Sequence, residues 1–221
     1  MGYIHFSLPK RLVEKIIQLF PIENFVETGT YKGDSSFWAA AYFKNVYTIE
    51  IDSDISKSTS ERPDCPLNIK FYIGNSRNVL PKLVDELEGS SLFWLDGHWC
   101  FDAGGKDAEC PLLDEIQALK NLIDPIIFID DARCFLGPLP LPHKAEDWPS
   151  IDKIFSLLKS LFPNNYTTIQ DDVIMCVPEE VKKILDQDWM ENYHSRYPSP
   201  IVEIKKSKIT RINNYLKKMA R

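Results

Sequence analysis

Apolar residues recur along this chain in two alternating rhythms. At the start, Leu12, Val13, Ile16, Ile17 and Phe20 return every three to four positions, which predicts one buried helix face that Pro21 terminates. Short apolar runs then come at 24–28 (NFVET), 46–51 (VYTIEI), 68–73 (NIKFYI), 91–96 (SLFWLD) and 125–130 (PIIFID). All read as strands, and the last two have the length and bounding of strands buried on both faces. Helical patterns fall between them at 34–43, 53–60, 76–88 and 111–123, with Val79, Leu80, Leu83, Val84 and Leu87 as the clearest stripe. Ile151, Ile154, Phe155, Leu158, Leu161 and Phe162 mark another helix, and YTTIQ and VIMCV around Asp171-Asp172 predict a tight hairpin.

Strict alternation ending in a hairpin predicts an α/β fold: a doubly wound, mostly parallel seven-stranded sheet with an antiparallel C-terminal hairpin strand. Residues 1–200 read as one domain, with an opening helix in 1–21 and a core over 22–177. Two irregular segments interrupt the pattern, 97–110 with Gly104-Gly105 and 136–149 with Pro138, Pro140, Pro142 and Pro149. Both follow acidic strand ends, where loops of this length cover sites.

Composition adds limits. At 221 residues, 44% hydrophobic and 12% aromatic, the chain can fill one core. No apolar run approaches a membrane span and the start lacks a secretory pattern, so a cytoplasmic protein is expected. Cys65, Cys100, Cys110, Cys134 and Cys176 are odd in number and contain no Cys-x-x-Cys pair, against both a disulfide framework and a zinc ribbon. The net charge of −6 is uneven: residues 201–221 carry seven basic side chains and one acid. Ile201, Ile204, Ile209, Ile212, Leu216 and Met219 recur beneath those charges, so the tail reads as a basic amphipathic helix. Packing on its own domain, or on a second copy in a homo-oligomer, is the expected use; nucleic acid is not an expected partner of so acidic a remainder.

The candidate chemistry gathers where strands should end. Asp96 closes one strand, and Asp130 and Asp131 close another. Neighbouring strands lie about 5 Å apart, so three carboxylates there would converge and repel unless a cation joined them, and a hard ion such as Mg²⁺ suits oxygen donors. The first strand runs into FVETGTYKGDSS, where Gly29 and Gly33 allow a sharp turn before a helix. The spacing is not the Gly-x-Gly-x-x-Gly of dinucleotide enzymes. Glu50 ends the second strand 21 positions after Gly29, the place of a ribose-binding carboxylate in nucleoside-binding sheets. Gly74, Asn75 and Ser76 end the third strand; their short polar side chains either pair with an adenine edge or cap the next helix.

Taken together, FVETGTYKG, YTIEID, GNSRNVLP, FWLDGHW, ECPLLDEI and FIDDAR resemble class I S-adenosylmethionine-dependent methyltransferases, and within them the macrocin O-methyltransferase-like enzymes that methylate sugar hydroxyls. The resemblance covers roughly residues 22–177. It implies a Rossmann-like methyltransferase that binds the cofactor through Glu27, Thr28, Gly29, Thr30, Gly33, Ser35, Glu50, Asn75, Ser76 and Asp96. It implies Mg²⁺ on Asp96, Asp130 and Asp131, and His98 together with Asp96 as the catalytic groups. The acceptor is then a saccharide or glycosylated small molecule. A catechol-like phenol acceptor and a non-catalytic cofactor-binding regulator are the competing readings. Such families often carry Asp where Asn75 stands here.

Overall fold

The computed structural model describes residues 7–99 and 109–196. The elements run α1 (Lys10–Leu19), β1 (Asn24–Thr28), α2 (Asp34–Ala39), β2 (Asn45–Glu50), α3 (Ser53–Ser60), β3 (Ile69–Ile73), α4 (Ser76–Glu86) and β4 (Ser91–Leu95). They continue with α5 (Leu112–Ala118), β5 (Ile126–Ile129), α6 (Ile151–Leu161), β6 (Tyr166–Gln170), β7 (Val173–Val177) and α7 (Glu179–Arg196). All seven strands join one sheet in the order β3-β2-β1-β4-β5-β7-β6, parallel through β5 and antiparallel at β7. The winding direction reverses between β1 and β4, and a doubly wound sheet opens its ligand crevice at the carboxyl ends beside such a reversal.

Strand pleating divides the apolar runs between two layers. Phe25, Trp94 and Phe128 face α1 and α7, packing with Val13, Ile16, Val181 and Leu185. Val26, Phe93, Leu95, Ile127 and Ile129 face the other way, against Leu80 and Leu83 of α4, Ile116 of α5 and Ile154 and Leu158 of α6. Trp94 is fully buried, as a core residue. The hairpin forms as expected: Asp171 and Asp172 have φ of 49° and 71°, the left-handed pair that a two-residue turn between twisted strands requires.

Two helices end earlier than their apolar spacing predicts. After Ala39 and after Ala118 the chain tightens into i→i+3 bonds, Tyr42 N–H to Ala39 C=O and Leu122 N–H to Leu119 C=O, so apolar positions persist while the α-helix does not. The helix α7 was not expected. Only Val181, Ile184 and Leu185 give it a buried stripe, and an ion pair from Lys15 to Asp188 at 2.8 Å ties it to α1. Among the described residues no helix is long and apolar enough to cross a membrane. The basic tail, Gly104-Gly105 and Cys100 lie outside the described residues.

Candidate functional site

A cavity of about 430 Å³ opens at the carboxyl edge of the sheet, lined by the ends of β1, β2, β3, β4 and β5. The turn after β1 forms its floor. Gly29 has φ of 84°, and a Cβ on it would stand 2.4 Å from the carbonyl oxygen of Asp96. Only glycine lets the β1 turn come this close to the end of β4. Thr28 locks the same junction from behind, its carbonyl and hydroxyl oxygens each accepting from Asp96 N–H at 3.2 Å. Gly33, with φ of 79°, starts α2.

Glu27 is 2% exposed, and its carboxylate accepts from the hydroxyls of Ser36 and of Thr48, the latter at 2.7 Å. Burial pushes its pKa up to about 7, against the pull of those two hydroxyls. Thr48 is in turn 2.7 Å from the Thr30 hydroxyl. Glu50 is held by backbone alone: one oxygen accepts from Tyr31 N–H at 2.9 Å and the other from Asp52 N–H at 3.0 Å. A carboxylate has about four acceptor positions, so each oxygen keeps a lone pair beyond these bonds. Asn75 caps α4, its Oδ1 accepting from Arg77 N–H at 3.0 Å.

The opposite end of the cavity is built from charges. Asp96, Asp130 and Asp131 follow β4 and β5 by one or two residues, and His98 stands among them. His98 Nε2 is 3.0 Å from Asp131 Oδ2, while Nδ1 is 3.7 Å from Asp96 Oδ1. Arg133 meets the other oxygen of Asp131 at 2.7 Å and pairs with Asp172 of the hairpin. Asp131 takes φ of 56°, a left-handed conformation that its short polar side chain tolerates.

These contacts sort the titrations. Burial would raise the Asp131 carboxyl, but His98 and Arg133 outweigh it and hold it below the usual range. Asp130, buried and facing the Asp131 charge, is pushed up to about 7. Asp96 moves up as well, through burial, with Asp130 and Asp131 adding to it, though 34% of its side chain is exposed and water blunts the effect. Burial alone would lower His98; the hydrogen bond to Asp131 and the surrounding carboxylates reverse this and carry it to about 9.

The metal expectation meets a different arrangement. Three carboxylates are the donor chemistry of a hard ion. Yet among the described residues no three His, Cys, Asp or Glu side chains are placed to hold a metal together. Asp131 is turned instead to His98 and Arg133, which balance its charge. As arranged, the trio does not fit an ion. Burial keeps two nearby thiols protonated, pushing Cys110 up to about 12 and Cys134 up to about 11.

Of the residues expected at the site, Glu27, Gly29, Thr30, Ser35, Glu50, Asn75, Ser76, Asp96, His98, Asp130 and Asp131 line this one cavity. Thr28 and Gly33 stand behind its wall. Sequence reading missed Tyr31 and Lys32, which also line it, and Asp172, which it assigned to a turn alone. Tyr31, at φ of 44°, could have been suspected from its place between the two turn glycines.

No protein-family model matches the chain, and no curated protein does. Solved structures do. The O-methyltransferase TomG from Streptomyces achromogenes, solved in complex with SAM, is 15% identical, with a TM-score of 0.51 over 79% of this chain and 82% of that one. A Staphylococcus aureus structure provisionally assigned as a caffeoyl-CoA O-methyltransferase is 15% identical, with a TM-score of 0.55 over 79% of this chain and 86% of that one. Human methyltransferase-like protein 13, in complex with SAH, is 13% identical, with a TM-score of 0.50 over 80% and 90%. At these identities the likeness establishes the fold: this is the Rossmann-like methyltransferase sheet.

Proposed function

We propose that the chain is an S-adenosylmethionine-dependent O-methyltransferase acting on a hydroxyl of a saccharide or glycosylated small molecule. One observation carries this reading. A single cavity joins a backbone-held carboxylate, Glu50, to a His98–Asp131 pair, which supports reading the first as the ribose contact and the second as the acceptor of a hydroxyl proton. When bound, S-adenosylmethionine supplies an activated methyl group, which moves to oxygen by in-line displacement as the carbon–sulfur bond breaks.

The chain's own residues have two tasks, to align and to take a proton. Glu50 fixes the nucleoside, and Glu27 with Thr30 and Ser35 surrounds the amino acid portion. Asp131 accepts from Nε2–H of His98, which leaves Nδ1, on the Asp96 side, to receive the acceptor's proton. Asp131 then stabilises the imidazolium. The only aromatic rings among the described cavity-lining residues are Tyr31 and His98. Carboxylates, imidazole and guanidinium suit a hydroxyl-rich acceptor better than a flat phenol.

A magnesium-assisted version is the second reading, favoured by the raised proton affinities of Asp96 and Asp130, and it requires Asp131 to turn from His98 and Arg133 before the three carboxylates could hold an ion. Both versions share one experiment. S-adenosylmethionine and S-adenosylhomocysteine should bind in calorimetry and raise the melting temperature, a ligand at 100 times its dissociation constant adding about 2.7 kcal/mol. Glu50→Ala should weaken binding by about 1.5–3 kcal/mol, the range for hydrogen bonds to a charged group. Methyl-label transfer to saccharides and to planar diols, run with Mg²⁺ and in chelator, then separates acceptors and metal use. Tight NADH binding without sulfonium binding would overturn the methyltransferase reading.

A further inference from the structure

Behind His98, outside the cavity wall, the structure gathers a polar and aromatic cluster around Glu109. This side chain is 1% exposed. Its carboxylate accepts from Trp148 Nε1–H at 2.8 Å and from Lys144 N–H at 3.1 Å, and His143 Nδ1 lies at 3.1 Å. A carboxylate can only accept, so Nδ1 of His143 carries the proton of that bond. Its carbonyl accepts from Trp99 N–H at 2.6 Å. One residue therefore ties the chain just past His98 to residues 143–148 of the proline-rich segment.

The aromatic rings carry this tie to the site. Trp148 stands edge-on to His98 with centroids 5.4 Å apart and leans on Phe135 at 5.8 Å. His143 is edge-on to both Trp99, at 5.0 Å, and Trp148, at 5.5 Å. The imidazole of His98 is thus gripped by Asp131 through Nε2 and by Trp148 through its ring. Asp131 fixes one atom; a second contact is needed to fix the plane. Neither Glu109 nor Trp148 is among the residues that line the cavity.

We propose that Glu109 is a positioning residue: by anchoring the Trp148 indole it sets the plane of the His98 imidazole and so the direction of Nδ1 toward the acceptor oxygen. Its consequence for turnover rests on the methyl-transfer reading, whereas the positioning itself does not. The test uses the full chain with isotope-labelled histidines, the His98 signal being assigned through His98→Gln, and S-adenosylhomocysteine as the binding probe. Glu109→Gln leaves one acceptor oxygen and turns an amide NH₂ toward the same donors. Its His98 ring resonances should shift, while affinity for the probe changes by less than about twofold, as for sites that share no partner. His143→Phe, which deletes one donor to Glu109 without touching His98, should shift the same signal in the same direction; it carries the test alone if Glu109→Gln does not fold. A folded variant whose His98 signal overlays that of the wild type would reduce Glu109 to a loop staple and overturn the proposal. Loss of probe affinity by more than about tenfold would overturn it too, because Glu109 would then act on the whole cavity. If the wild type binds no probe, the methyl-transfer reading fails, and the His98 shift still decides the positioning.

Discussion

The two ends of the cavity hold their carboxylates by opposite means. At the β1–β3 end, Glu50 is fixed by two backbone N–H groups and Glu27 by two hydroxyls, so neither leans on a charged partner. At the β4–β5 end, Asp131 is fixed by His98 and Arg133, and Arg133 by Asp172, a chain of charges across three loops. Backbone donors follow from strand register and do not change with pH. An ion-pair chain changes whenever one member gains or loses a proton or a ligand brings a charge. The difference teaches that Glu50 is preorganised to hold a constant ligand, while the ion-pair chain at the β4–β5 end responds to pH and to what enters.

The strongest way to sharpen this contrast is His98→Ala. Turnover should fall by about 10²–10⁴-fold, the usual contribution of a positioned acid–base group, with cofactor affinity nearly unchanged because no β1–β3 contact is touched. In the wild type, kcat/KM should rise with pH until about 9, where the imidazole loses its proton. Initial rates of methyl-label transfer between pH 6 and 10 measure both. A profile flat below pH 9, or a variant that keeps its rate, would return His98 to a structural role.

Folding stability offers a second, smaller test of the same end. The folded pKa of His98 lies above its unfolded value of roughly 6.5, so its contribution is complete below that pH and is lost as pH rises through about 9. Across that window the loss should be on the order of 2 kcal/mol. Glu27 and Asp130, carboxyls raised to about 7, act in the same sense at lower pH, since the fold holds their protons more tightly than the unfolded chain does. Thermal melts of wild type and His98→Gln from pH 6.5 to 9.5 should converge as pH rises. Parallel curves would mean that the ion-pair chain does not hold the proton as its geometry indicates.

The same contrast explains what was legible in the sequence. Strand runs, the β1 turn and Glu50 are local signals: apolar spacing, two glycines, and an acid at a strand end. They placed nearly the whole β1–β3 end. The three aspartates were visible for the same reason, but their partners were not. Asp172 is 39 positions from Arg133, and Trp148 is 39 from Glu109. No periodicity links residues joined only by the way loops fold over a sheet edge. Asp131 therefore read as a metal ligand, with no sign in the sequence that its oxygens face His98 and Arg133. Helix α7 was missed for a related reason, because the three buried apolar residues described in it make too short a stripe to stand out.

The smallest expected effect separates two roles on the cofactor side itself. Asn75 lines the cavity, yet its Oδ1 is committed to Arg77 N–H as the cap of α4. If capping is its main task, Asn75→Ala should cost about 1 kcal/mol of stability, the usual loss for a helix cap, and leave S-adenosylhomocysteine affinity within about twofold. Asn75→Asp should restore that stability, because a carboxylate caps as well and favours the positive end of the helix. Chemical denaturation and calorimetry on the two variants read the two quantities separately. A fall in affinity beyond about tenfold in Asn75→Ala, with stability unchanged, would make this side chain a ligand contact first.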